Sequence, residues 1–155
     1  MKTELFKTGT SKTIFICEAL MDSPGSDDKV YNKINLIIVL RDENNKAVKT
    51  VRYFLDVPVA KVIFHDLWHL ALKENYDEYK KSGGNERAVQ ISPTELGYRI
   101  SILNSTGGDA KDRLYFDLTN FQIRQLAREL LDYLRLHELA FVISTMGKQT
   151  MTLTQ

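Results

Sequence analysis

Apolar and polar residues alternate along much of this chain, and the alternation sorts it into strands. Thr13 to Leu20, "TIFICEAL", is β-branched and aromatic enough to predict a strand, which the turn formers "SPGSDD" from Ser23 to Asp28 end. From Tyr31 to Arg41, Ile34, Leu36, Ile38 and Leu40 fall on one face, and Lys33, Asn35, Ile37, Val39 and Arg41 on the other. After "DENNK", whose asparagines tolerate positive φ, "AVKTVRYFLD" reads as the hairpin partner of that strand.

The period then changes from two to about 3.6. Pro58 suits the first turn of a helix, and Val59, Val62, Ile63, Leu67 and Leu70 recur at spacings of three and four, predicting a helix to about Tyr79. "KKSGGNE" is the clearest interior break. Beyond it lie a short strand from Arg87 to Ile91, a turn through "SPTELG", a strand from Tyr98 to Asn104, and a hairpin through "STGGDAKD" into "RLYFD". Thr119 and Gln122 form a T-x-x-Q capping box, opening a helix with Ile123, Leu126, Ala127, Leu130, Tyr133 and Leu134 on one stripe.

Strand, strand, strand, helix therefore occurs twice, anchored by "RYFLD" at 52–56 and "RLYFD" at 113–117, an offset of 113 − 52 = 61 residues. The expected fold is α+β: one domain of two pseudo-repeats, about 13–79 and 87–138, whose antiparallel sheets pack on two main helices. A short N-terminal arm precedes them. The tail "FVISTMGKQTMTLTQ" is left to add an edge strand or stay mobile.

Composition narrows the function classes. The 155 residues suit one domain with its own core, and 21 basic against 20 acidic side chains leave a net charge of +1. No global field then draws the molecule to nucleic acid or a membrane, so any such affinity must come from a local patch. The lone cysteine, Cys17, sits in an apolar run and reads as a small hydrophobe in a reducing compartment. With no signal-peptide pattern and no spanning apolar segment, a cytoplasmic location is the expectation.

One stretch imitates a metal site. "VIFHDLWHLAL" contains His65, Asp66 and His69 as H-D-x-x-H, close to the zinc-protease signature. Two histidines four apart share a helix face, but Asp66 is shorter than the usual base, and the remaining histidine, His137, lies in the second helix. Neither catalytic group, metal nor cofactor is expected. A zinc hydrolase stays as the least favoured alternative.

A different constellation scores better. If Leu114 and Phe116 face the core, Arg113 and Tyr115 share the opposite face, and by the 61-residue offset Arg52 and Phe54 share the equivalent one. Arg99 and Ser101 join in the second half, and Lys33, Asn35 and Arg41 in the first. Cations beside rings suit single-stranded nucleic acid, whose phosphates they neutralise while bases stack. The alternative is cross-strand packing or a subunit interface, making the chain a protein interaction module. Ile37 and Val39 share that outer face and call for cover by another strand, the tail or another subunit.

Tandem units of antiparallel strands closed by a helix, with "RYFLD" and "RLYFD" leading into the helices, resemble the PUR-repeat, Whirly and PC4-like group of single-stranded DNA-binding proteins over roughly residues 13–138. The resemblance implies binding of single-stranded DNA or RNA on a basic and aromatic sheet face. It also implies a homodimer or higher homo-oligomer formed through helices or sheets. Arg52, Phe54, Arg113 and Tyr115 become binding candidates by it, with Lys33 and Arg99 beside them.

Overall fold

The computed structural model describes residues 1–22, 32–106 and 111–154. The turn expected at Ser23 to Asp28, the strand's first residue Tyr31, and the middle of the "STGGDAKD" loop lie outside the described residues. The order is β1 (Lys2–Gly9), β2 (Thr13–Leu20), β3 (Lys33–Arg41), β4 (Ala47–Asp56), α1 (Val57–Trp68), β5 (Tyr76–Ser82), β6 (Asn85–Pro93), β7 (Gly97–Thr106), β8 (Lys111–Thr119) and α2 (Asn120–Thr154). Strands β1 to β4 form one antiparallel meander and β5 to β8 a second. The α+β architecture of two tandem units, sheets packed with two main helices, is the one expected, with one further strand in each unit.

Both extra strands replace something else. The N-terminal arm is β1, paired to β2 with a register shift between Glu4 and Phe6 that turns Phe6 into the core. The first helix stops at Trp68 rather than near Tyr79. His69 caps it, the Leu70 N–H donates to the Leu67 carbonyl (3.1 Å) and the Ala71 N–H to the Asp66 carbonyl (2.8 Å), with Leu70 at φ +52. This is a Schellman ending with leucine where glycine is usual. The freed residues make β5, and Gly83 (φ +59) turns it back into β6, so "KKSGGNE" is a hairpin rather than a break. The tail is neither strand nor mobile arm, because α2 runs on through Thr154.

Ile34, Leu36, Ile38, Val51, Tyr53 and Leu55 line the inner face of the first sheet; Val89, Ile91, Ile100, Ile102, Phe116 and Leu118 line that of the second. They join Ala60, Ile63, Phe64 and Leu67 of α1 and Ile123, Leu126, Ala127, Leu130 and Leu134 of α2 in one core. Phe15 bridges the sheets, its ring centroid 6.0 Å from that of Phe116. Cys17 is fully buried there, and burial followed by the nearby Glu18 charge pushes its thiol upward, away from the reactive thiolate.

Polar side chains of the second sheet close the free edge of β4. The Arg52 N–H donates to Asn104 Oδ1 and Asn104 Nδ2 donates to the Arg52 carbonyl, both at 2.9 Å, while Lys80 Nζ donates to the Phe54 carbonyl (2.8 Å). An edge that would otherwise recruit another strand is thereby satisfied. Nearby, the Tyr53 and Tyr76 hydroxyls both donate to the Glu78 carboxylate, at 2.7 and 2.6 Å. Burial first, then the bond to Glu78, raises both phenols well above their ordinary value. Their folded-state values are raised, so this stabilisation is full below the unfolded value of about 10 and is lost as pH rises beyond it. A cooperative alkaline unfolding above about pH 10, with tyrosinate absorbance of these two residues appearing only as the fold is lost, is the expected result. Ionisation of all seven tyrosines in a folded protein would contradict it.

The second helix begins where the capping box places it. The Gln122 N–H donates to Thr119 Oγ1 (3.2 Å) and the Thr119 N–H to Gln122 Oε1 (3.0 Å). Gly97 underlies this joint, since a Cβ there would lie 2.1 Å from the Leu118 carbonyl oxygen. Thr119→Ala is expected to cost about 1 kcal/mol in denaturant unfolding; an unchanged midpoint would show that the box contributes nothing.

Candidate nucleic-acid interface

Strand parity distributes the six candidate residues over two surfaces. Lys33, Arg52 and Phe54 stand on the outer face of the first sheet, in register with Asp56, Ile37 and Asn35 respectively. Arg99, Arg113 and Tyr115 stand on the outer face of the second sheet, with Asp117 and Ser101 beside them. The 61-residue offset thus pairs equivalent positions without bringing them together, because each unit builds its own sheet.

The first face is partly closed. Phe54 is half-buried, with the Arg87 guanidinium 5.2 Å from its ring centroid. Lys33 is bonded to Asp56, whose carboxyl that bond holds below the usual range. Arg52 is exposed, and among the described residues its side chain makes no ion pair. Ile37 is buried and Val39 half-buried between strands β2 and β4, so the apolar strip there is largely withdrawn from solvent without the tail. Asn35 is buried beside Glu18, to which it donates at 3.4 Å, and its Oδ1 has no partner.

The second face is open. Tyr115 is 55% exposed, and the Arg99 guanidinium lies 4.0 Å from its ring centroid. Arg99 is held there by Asp117, through Nε to Oδ1 at 2.7 Å and Nη2 to Oδ2 at 3.0 Å. The same bond holds the Asp117 carboxyl below its ordinary range and raises the guanidinium. Arg99 therefore acts first as a rigid support under Tyr115, and a phosphate would compete with Asp117 for it. Arg113, two residues along on the same side, makes no ion pair among the described residues.

Across the sheet from Arg113, the row runs through Leu103 and Ala88 to Tyr79, which is 56% exposed. Neighbouring strands stand about 4.8 Å apart, so Tyr79 and Arg113 are roughly 14 Å from each other. A shallow cleft of about 300 Å³ lies along this row, floored by Ala88, Gln90, Ser101 and Leu103. A second cleft, of about 370 Å³, borders Arg113, Tyr115 and Asp117 on the other side, against Thr10, Thr13 and Leu40 of the first unit. Sequence reasoning missed Tyr79 by assigning it to the first helix. The signal that would have found it is Gly83-Gly84, a hairpin turn that makes the preceding residues a strand and puts Asp77, Tyr79 and Lys81 on one side.

His65 on α1 and His69 at its C-cap are exposed, their ring centroids 4.7 Å apart, with Asp66 Oδ1 3.9 Å from His65 Nδ1. No group of three metal-binding side chains occurs among the described residues. No helix among them is long and apolar enough to cross a membrane.

No family model and no curated protein sequence matches the chain. A solved structure does: that of the plant transcriptional regulator PBF-2, with a TM-score of 0.65 at 9% identity, covering 90% of this chain and 92% of that one. At that identity the likeness concerns the fold alone.

Proposed function

We propose that this chain is a non-enzymatic, cytoplasmic protein that binds single-stranded DNA or RNA, working as a homo-oligomer. The observation that carries the reading is Tyr115: a ring held rigid from one side by Arg99 and Asp117, more than half exposed, with the exposed Arg113 beside it. A base stacks on such a ring at little ordering cost, while Arg113 takes the adjoining phosphate. Tyr79, across the shallow cleft, offers a second ring for the same strand. Arg52, with Phe54 and Lys33, extends the contact to the first sheet. The shared fold with a transcriptional regulator supports a nucleic-acid ligand.

A fluorescence-anisotropy titration with short single-stranded and duplex oligonucleotides at two salt concentrations tests the reading. Single strands should bind at micromolar protein, more tightly than duplex, with affinity falling as salt rises. Equal affinity for duplex, or none at low salt, would remove the proposal.

The oligomer is supported by α2. Its core contacts end at Leu134, yet the helix continues, presenting Leu136, Leu139, Ile143 and Met146 to solvent. Their spacing of three, four and three is that of a coiled-coil seam, and Val142 widens it. A second copy of the same helix is the partner such a stripe fits.

A further inference from the structure

The joint between β8 and α2 holds a cleft of about 500 Å³ that the sheet-face reading does not use. Trp68 and Leu70, from the end of α1, form one side. Phe121, Arg124 and Arg128, from the start of α2, form the other, with Glu129 3.6 Å from the Arg128 guanidinium. Phe121 is 79% exposed, so most of its ring is open to a ligand. The Arg124 guanidinium lies 4.7 Å from the Trp68 ring, which holds it in place over the cleft. Leu70 reaches the cleft from a left-handed conformation, a local strain that an ordinary surface turn would have relieved with glycine.

We infer that this cleft is a separate nucleotide-binding subsite, taking one base and its phosphate from the strand that the outer face of the second sheet holds. The inference rests on the reading of the protein as a single-strand binder. An exposed ring beside two guanidiniums matches the two halves of a nucleotide: the base stacks on Phe121, and the phosphate lies against Arg124 and against Arg128, for which it competes with Glu129. Position supports it as well. β8 carries Arg113, Tyr115 and Asp117 directly up to this joint, and Thr119 lies about 13 Å beyond Tyr115 at strand rise, within reach of a few nucleotides.

Trp68 is the only tryptophan in the chain, so its fluorescence reports on this cleft. The full-length protein is titrated with a labelled oligothymidylate, and anisotropy and tryptophan emission are followed together. Quenching with the same midpoint as the anisotropy change is expected. In R124A/R128A the quenching should disappear and affinity fall about tenfold; Phe121→Ala, at an exposed position that leaves the fold unaffected, should weaken binding about fivefold or more. Binding with unchanged tryptophan emission, and variants that bind as the wild type does, would overturn the subsite while leaving the sheet face standing. Loss of oligomeric mass in the Phe121 variant without loss of quenching would make the cleft an interface between copies and overturn it too. Absence of any anisotropy change would overturn both readings.

Discussion

Replacing Arg113 and Tyr115 together by alanine is expected to weaken single-strand binding by roughly ten- to a hundredfold, because one stacked base is worth about 1–3 kcal/mol and a phosphate contact is lost with it. The salt dependence should flatten by less than one unit of slope, about 0.7, for the single cation removed. Both side chains lie on an outer strand face away from the core, so the unfolding midpoint should stay near that of the wild type. Tyr115→Phe keeps the ring and should bind almost normally. Arg99→Ala should act differently: it frees the ring and leaves Asp117 facing the strand without its Arg99 partner, so affinity should fall through lost positioning of Tyr115. Unchanged affinity in the double variant would take the second sheet out of the interface.

The second large effect concerns assembly. On the proposed assembly, Leu139→Glu with Ile143→Glu is expected to give a monomer, since seam positions that a second copy buries commonly contribute about 2 kcal/mol or more each. The core should be indifferent, because α2 meets the sheets through Ile123, Leu126, Ala127, Leu130 and Leu134, all N-terminal to the changes. Sedimentation velocity reads the outcome directly. If oligomerisation brings several sheet faces to one strand, the monomer should lose affinity for long oligonucleotides and keep it for short ones. A wild-type monomer, or a charge-bearing variant of unchanged mass, would contradict this account of the tail.

Alternation or β-branched and aromatic content exposed β2, β3, β4, β6, β7 and β8 because one side of each is apolar; the strands missed lack that contrast. In β1 the register shift puts Leu5 and Phe6 side by side and breaks the period. In β5 the inward positions are Tyr76, Glu78 and Lys80, polar-ended side chains whose burial is made tolerable by bonds to Tyr53 and to the β4 edge. Nothing in the letters announces that a leucine will take a left-handed conformation and end α1. The tail misled in the other direction: "FVIS" is β-branched and aromatic like a strand, and only the spacing of Leu136, Leu139, Ile143 and Met146 reveals a helix.

The candidate site was legible to the same depth. Parity correctly put Arg52, Phe54, Arg113 and Tyr115 on outer faces. It had no access to contacts made between elements, and these separate the residues: Arg87 lies over Phe54, Asp56 holds Lys33, and Asp117 holds Arg99. Arg52, Arg113 and Tyr115 keep exposed side chains, and the proposed contact centres on the last two.

Photocrosslinking tests that site most directly. A single strand carrying a photoreactive thymine analogue is bound to the wild-type protein and irradiated, and the attached residue is identified by mass spectrometry. Crosslinks are expected on the outer face of the second sheet, at Tyr115 foremost and at Tyr79, and should disappear when unlabelled single strand competes. Crosslinks confined to the helices or to the first sheet, with Tyr115 unmodified, would contradict that site.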